Sequence, residues 1–149
     1  MGEILTIPRG QLVIMEGGLD FQRESGTSVP FTEVDLSQIS LVTVLKPGEL
    51  FIWGDEKLER LRRGQYACLD AGVWQALREN PHLIPESWKE MRDGSTLYVF
   101  FDGTVLRGPG GREFVPAVCW DRNQKEWDFV TYWLGRGCYS STLSAVLSS

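Results

Sequence analysis

Apolar and polar positions divide the chain into a β-rich first third, a helical middle and a β-rich end. Residues 39–45 are rich in β-branched residues and end at a Pro-Gly turn, which is typical of a buried strand. Farther along, Val73, Trp74 and Leu77 recur at the spacing of one helix face. After residue 95, alternating aliphatic and aromatic runs are separated by glycine-rich or polar turns. The pattern therefore predicts an α+β fold.

Short helices are predicted in the middle of the chain, over residues 56–63, 71–79 and 85–91. Asp55 and Asp70 precede the first two helices, and each carboxylate can accept hydrogen bonds from the unpaired N–H groups of the first turn. The helix over 71–79 carries the clearest apolar stripe and is expected to pack on a sheet.

The region before the helices is predicted to be β-rich. Residues 4–7 and 11–16 flank a Pro-Arg-Gly turn and form a predicted hairpin. Because a chain of this length usually folds as one unit, residues 1–149 are expected to form a single domain. Residues 1–53 are its β-rich N-terminal portion, and 55–149 hold the helices and the C-terminal strands.

The end of the chain is predicted to form a three-stranded antiparallel meander over residues 96–107, 112–120 and 127–134. Gly103 is interpreted as a bulge within the first strand, because a hairpin at Asp102-Gly103 would leave only a short central strand. The residues after 134 are rich in Gly and Ser and are predicted to be irregular.

The two faces of this predicted meander differ. If Trp120 faces Trp127 across the last turn, one face is almost wholly apolar and should pack on the helices. The opposite face is half apolar, whereas a solvated face normally alternates with polar residues. Residues 4–53, a second copy of the chain or a small ligand would have to cover it. Its aromatic members, the predicted binding residues, are Tyr98, Phe100 and Tyr132.

Composition narrows the function classes. Fifteen basic and twenty acidic residues give a net charge of −5, which lacks the basic excess that nucleic-acid binding requires. No apolar run approaches the ~18 residues of a membrane span, and the N-terminus does not read as a signal peptide. With an odd number of cysteines, a cytoplasmic protein with reduced thiols is expected.

Cysteine and histidine offer little metal or nucleophile chemistry. Cys68, Cys119, Cys138 and the single histidine, His82, are far apart, and structural zinc sites usually bring their ligands in close pairs. Nothing in the sequence arranges Cys68 and His82 as a nucleophile and its base. We therefore expect no metal and no cofactor.

Two carboxylates give the enzyme alternative. Asp102 and Asp128 would share the second face of the predicted meander on its outer strands, about 10 Å apart if two strand spacings separate them. Paired carboxylates beside aromatic rings are typical of sugar hydrolases, whose inverting pairs lie roughly 6.5–9.5 Å apart.

The C-terminal third carries a resemblance. Phe100 to Arg107 reads Phe-Phe-Asp-Gly-Thr-Val-Leu-Arg and is followed by a glycine-rich turn, Val115-Pro116, Cys119-Trp120, an aromatic run over 127–134 and a Ser-Ala-Val-Leu end. This series resembles a family of small bacterial proteins to which no activity is assigned, best over residues 96–147. The resemblance implies one compact α+β unit and brings no activity with it.

The sequence therefore favours a non-enzymatic binding or assembly domain that uses an aromatic sheet surface, with another protein or a second copy of itself as partner. Nucleic acid and membrane are not expected as partners. Binding of a small-molecule ligand is left as an open alternative. The alternatives are a small hydrolase that uses Asp102 and Asp128, and a regulatory partner of another bacterial protein, such as a toxin neutraliser.

Overall fold

The computed structural model describes residues 2–9, 21–24 and 31–147, and for 21–24 only the backbone. Two helices and thirteen short strands occur in these ranges, which makes the fold α+β. The helices are α1 (Gly54–Arg63) and α2 (Ala71–Glu79). The strands are β1 (Ile4–Thr6), β2 (Phe21–Glu24), β3 (Glu33–Asp35), β4 (Ile39–Val42), β5 (Ile52–Trp53), β6 (Met91–Arg92), β7 (Ser95–Thr96), β8 (Tyr98–Phe100), β9 (Thr104–Arg107), β10 (Glu113–Asp121), β11 (Glu126–Trp133), β12 (Gly137–Cys138) and β13 (Thr142–Leu147).

Strand β10 organises a seven-stranded mixed sheet. It pairs with β11 along one edge, and β8 and β9 both run antiparallel to it. Beyond them, β2 pairs with β9, and β13 lies parallel to β8 and antiparallel to β4. Three further strand pairs, β1 with β3, β5 with β12 and β6 with β7, lie outside this sheet.

Helix α2 covers one face of the sheet. The Asp70 carboxylate accepts a hydrogen bond from the Val73 amide at the start of the helix, as predicted, and Arg9 binds the same carboxylate at 2.8 Å. Trp74 is fully buried, and its indole N–H donates to the Ala117 carbonyl of β10 at 2.8 Å. This hydrogen bond fixes the helix on the sheet in addition to the apolar contacts.

The other face is covered from within the chain. Phe100, Val105 and Val115 project from the sheet into a second core, where they meet Ile52 of β5. The remaining cover comes from the 44–45 segment, α1 and β12. The N-terminal portion, one of the three predicted covers, therefore supplies part of the cover of this face. Helix α1 and strand β12 supply the rest.

The helical middle differs from the prediction at two places. Helix α1 begins at Gly54 rather than at residue 56, so Asp55 lies in its first turn instead of capping it. There its charge still favours the positive end of the helix dipole. In place of a third helix over 85–91, the chain forms a 3₁₀ turn, Glu86–Lys89, and a second 3₁₀ turn, Pro81–Leu83, precedes it.

The predicted pairing of Trp120 with Trp127 is confirmed. Gly103 does lie in an interruption of one bent strand, since β8 and β9 both pair with β10. However, the interruption shifts the register. A continuous strand with Arg107 opposite Arg112 would place Phe101 opposite Val118 and Val105 on the apolar face. In the structure Val99 faces Val118 and Arg107 faces Glu113, so Val105 projects into the second core.

One prediction about the end of the chain needs correction. The tail is not irregular, because Thr142–Leu147 forms β13 inside the sheet. Near the start, β1 pairs with β3. The predicted hairpin of residues 4–7 with 11–16 stays a prediction, because 11–16 lie outside the described residues. Hydrogen bonds from Leu69 to the Ala145 carbonyl and from Leu147 to the Ala67 carbonyl hold β13 on its neighbouring loop.

Candidate functional site

The three predicted binding residues do come together, but mainly inside the molecule. The ring centroid of Tyr132 lies 4.8 Å from that of Phe100 and 5.9 Å from that of Tyr98. Phe100 is fully buried, whereas the two tyrosines are half-buried. The Tyr132 hydroxyl donates to the Gly137 carbonyl at 2.8 Å, which ties the cluster to β12. Phe100 is thus a core residue, and only the edges of the tyrosines face outward.

The half-buried end of this cluster holds a protonated thiol. Burial, together with the nearby charge of Asp128, raises the pKa of Cys119 to about 11. Burial likewise raises the pKa of the Tyr98 hydroxyl, which is hydrogen-bonded to Cys119. Since the thiolate is the reactive form of cysteine, this arrangement does not supply a nucleophile at neutral pH.

The two candidate carboxylates lie in different environments. Asp102 is fully buried, and Asp128 is exposed on β11 opposite Cys119. Because Cys119 in turn faces Tyr98, Asp102 is offset from Asp128 by four residues along the strands as well as two strand spacings. Their backbones are therefore roughly 15 Å apart rather than 10 Å, beyond the range of a hydrolase pair.

The partner of Asp102 is a lysine. Lys57 Nζ lies 3.0 and 3.2 Å from the two Asp102 oxygens, and the side chains are 3% and 1% exposed. The same ammonium is 4.0 Å from the ring centroid of Phe100. The sequence analysis missed Lys57, although it shares a helix face with Gly54 and Leu61, both buried. A lysine within an apolar stripe is the signal that indicates such a pair.

Four exposed apolar side chains form a surface that we call the aromatic patch: Leu50, Phe51, Trp53 and Tyr139. The Phe51 ring contacts Trp53 at 5.3 Å and Tyr139 at 5.9 Å between centroids. Ile52 points into the core between the two outward rings, following the alternation of a strand. This alternation over 51–53 is the signal in the sequence that indicates the patch.

Local structure holds the aromatic patch in place. Gly137 lies opposite Trp53 across the β5–β12 pair, and a Cβ there would come within 3.2 Å of both Phe51 and Tyr139. On the other side, the Arg60 guanidinium donates to the Glu49 carboxylate at 2.9 Å. This hydrogen bond lowers the pKa of Glu49 to about 2, so the contact is ionic at neutral pH.

A second surface is a groove of about 520 Å³ between the two 3₁₀ turns and the β10–β11 hairpin, which we call the tryptophan groove. Trp120 and Trp127 form one wall, with ring centroids 5.0 Å apart at 64°. Its volume is within the range of small-molecule sites. The side chains that line it include His82, Glu86, Lys89, Trp120, Lys125 and Trp127.

Metal and thiol chemistry receive no support from the geometry. All three cysteines are buried and reduced, and His82 is exposed, so Cys68 and His82 lie in different environments. Within residues 2–9, 21–24 and 31–147, no three His, Cys, Asp or Glu side chains are grouped as metal ligands. In the same ranges, no helix has the length and hydrophobicity to cross a bilayer.

Comparison with known proteins does not identify the chain. No protein-family model, curated protein or solved structure matches it. The aromatic patch and the tryptophan groove are therefore the two surfaces from which a function can be inferred.

Proposed function

We propose that this chain is a non-enzymatic protein-binding domain, that the aromatic patch is its interface, and that a second copy of the chain is its partner. The observation that carries the proposal is the contiguous exposure of the patch. Leu50 is 83% exposed, and the Trp53, Tyr139 and Phe51 residues are 57%, 52% and 43% exposed. The largest apolar patch on a typical monomer covers about 300–600 Å², and such patches are often functional.

The residue types suit an interface. Tryptophan and tyrosine are enriched among the residues that dominate binding energy, because they bury large surfaces at a low cost in conformational entropy. The segment that carries the patch is anchored on both sides, by the β5–β12 pairing and by the Arg60–Glu49 contact. A segment that is already anchored loses less freedom on binding, which favours association.

A second copy fits this surface chemically. Two-fold dimers are the commonest assemblies of soluble chains, and the same patch then meets itself. Aromatic rings are compatible with such a contact, since ring edges pack against ring faces. Exposed charges of both signs, Asp55 and Arg136, flank β5 and β12, so one copy can offer each charge an opposite partner on the other.

The size of the patch sets the expected strength. An aromatic side chain offers about 200 Å² of surface, so the three exposed fractions correspond to about 300 Å² in each copy. A standard interface buries about 800 Å² per partner. We therefore expect a weak dimer that forms at micromolar concentrations or above and involves residues beyond the rings.

The experiment is sedimentation velocity over a concentration series from low micromolar to several hundred micromolar. Wild-type protein should shift from monomer to dimer, and Trp53→Ser should remain monomeric with an unchanged thermal midpoint. Met91→Ser is the matched control, because Met91 is 50% exposed but lies on β6, outside the patch. A wild-type monomer at every concentration, or equal loss of dimer in the control, would refute the proposal.

A further inference from the structure

An ammonium group already occupies the corner between two indole rings in the tryptophan groove. Lys89 Nζ lies 4.0 Å from the Trp120 ring centroid and 5.8 Å from that of Trp127. The two rings are inclined at 64°, so they form two walls around the cation. Glu86 completes the surroundings with a carboxylate oxygen 2.9 Å from the ammonium.

The groove thus offers two indole rings and a carboxylate, which are the groups that bind alkylammonium ions. Faces of tryptophan rings attract cations, and aromatic corners bind quaternary ammonium ligands in particular. Here the corner opens into a cavity of about 520 Å³, which leaves room for the remainder of a ligand.

Lys89 can leave the corner at low cost. Its side chain is 29% exposed, and its ion-pair partner Glu86 is 83% exposed. Exposed ion pairs of this kind contribute little to stability. The Lys89 backbone carbonyl accepts a hydrogen bond from Arg122, so the turn can stay in place while the side chain moves.

Charge in the groove is compatible with a cationic ligand once Lys89 has moved out. The ionised groups that line it are then Arg78 and Lys125 on the positive side and Glu86 and Glu126 on the negative side. These charges balance, so a single positive charge entering the corner meets no net repulsion.

We propose that the Trp120–Trp127 corner is a binding site for the quaternary ammonium group of a small ligand, and that Lys89 is a built-in competitor that fills the corner when the ligand is absent. The site is separate from the aromatic patch and does not depend on dimer formation. The proposal makes two distinct claims, that the corner selects for positive charge and that Lys89 competes for it.

The test is titration with choline and with its uncharged isostere 3,3-dimethylbutan-1-ol, observed through the indole N–H signals of the tryptophans in NMR spectra. Choline should shift the signals of Trp120 and Trp127 with millimolar affinity, and the neutral alcohol should bind at least about five-fold more weakly. Lys89→Met should tighten choline binding about five-fold, because the competitor is gone. The matched control, Lys125→Met, removes a lysine of the same groove and should change the affinity less than two-fold.

Further outcomes test these claims separately. Trp120→Leu should abolish the choline-induced shifts, while the indole signals of Trp53, Trp74 and Trp133, which lie outside the groove, keep their positions. This separates loss of the site from loss of the fold. Equal binding of the neutral alcohol would overturn charge selection, and an unchanged affinity in Lys89→Met would overturn the competitor role. Absence of any choline-induced shift in both the wild type and Lys89→Met would overturn the site itself.

Discussion

Removal of one charge from the buried Lys57–Asp102 pair should be among the most destabilising single substitutions in this protein. The two groups are 3.0 Å apart and almost fully buried. At an effective dielectric constant of about 20, their attraction is about 5 kcal/mol, and burial of the remaining charge without a partner costs about 3–5 kcal/mol. We therefore expect Lys57→Met and Asp102→Asn each to lower the free energy of unfolding by about 3–5 kcal/mol.

Urea unfolding at neutral pH measures this effect, with thermal unfolding as a second readout. For a chain of this size the loss corresponds to a fall of about 10 °C or more in the thermal midpoint. The double variant should lose clearly less than the sum of the two single variants, because it leaves neither charge unpaired. Lys46→Met, at an exposed position, is the control and should change stability by less than about 0.5 kcal/mol. Single variants that each lose under 1 kcal/mol, or losses that add in the double variant, would refute this account.

Three further predictions concern the sheet and its neighbours. Gly103→Ala should destabilise the fold by about 1–3 kcal/mol in urea titrations, because its Cβ would lie 2.9 Å from the Leu69 carbonyl oxygen; an unchanged midpoint would contradict this. Ser144→Ala should leave stability unchanged or raise it by up to about 1 kcal/mol, since the buried hydroxyl has no hydrogen-bond partner among the described residues; a loss above 1 kcal/mol would show that one exists. Burial raises the pKa of Cys119 and Cys138 from 9.0 to about 11, so the folded chain keeps both protons while the unfolded chain ionises. Stability should therefore be unaffected by these thiols below pH 9 and fall as the pH rises from 9 to 11, and Cys138→Ala should make that fall less steep.

Local signals in the sequence were enough to predict α2 and the β10–β11 hairpin. Asp70 is a residue type that commonly caps helices, and it directly precedes an apolar stripe. In the hairpin, Trp120 and Trp127 lie on either side of a polar turn. Both features depend on residues close in the chain, for which spacing determines geometry. The half-apolar second face was also informative, because it indicated that some group must cover it; in the structure α1, β12 and the 44–52 region supply this cover.

The position of β13 could not be predicted in the same way. Thr142 and Ser144 are buried, yet in the sequence they resemble the polar residues of a solvated tail. Their burial follows from a parallel pairing with β8, more than forty residues away, and from pairing with β4 on the other edge. Such long-range pairing leaves no local pattern, and one interruption between β8 and β9 was sufficient to exchange the face of Val105.

The run from Phe101 to Thr104 has a structural explanation at every position. Phe101 packs in the first core against Trp88, Asp102 binds Lys57, and Gly103 lies against the loop before α2, where its amide donates to the Leu69 carbonyl at 2.9 Å. The Thr104 hydroxyl accepts a hydrogen bond from the first amide of α2 at 3.0 Å. These four residues join both helices to the sheet at one bulge. A chain that shares them is therefore expected to share this junction, whereas the aromatic patch and the tryptophan groove are built from residues elsewhere and can differ.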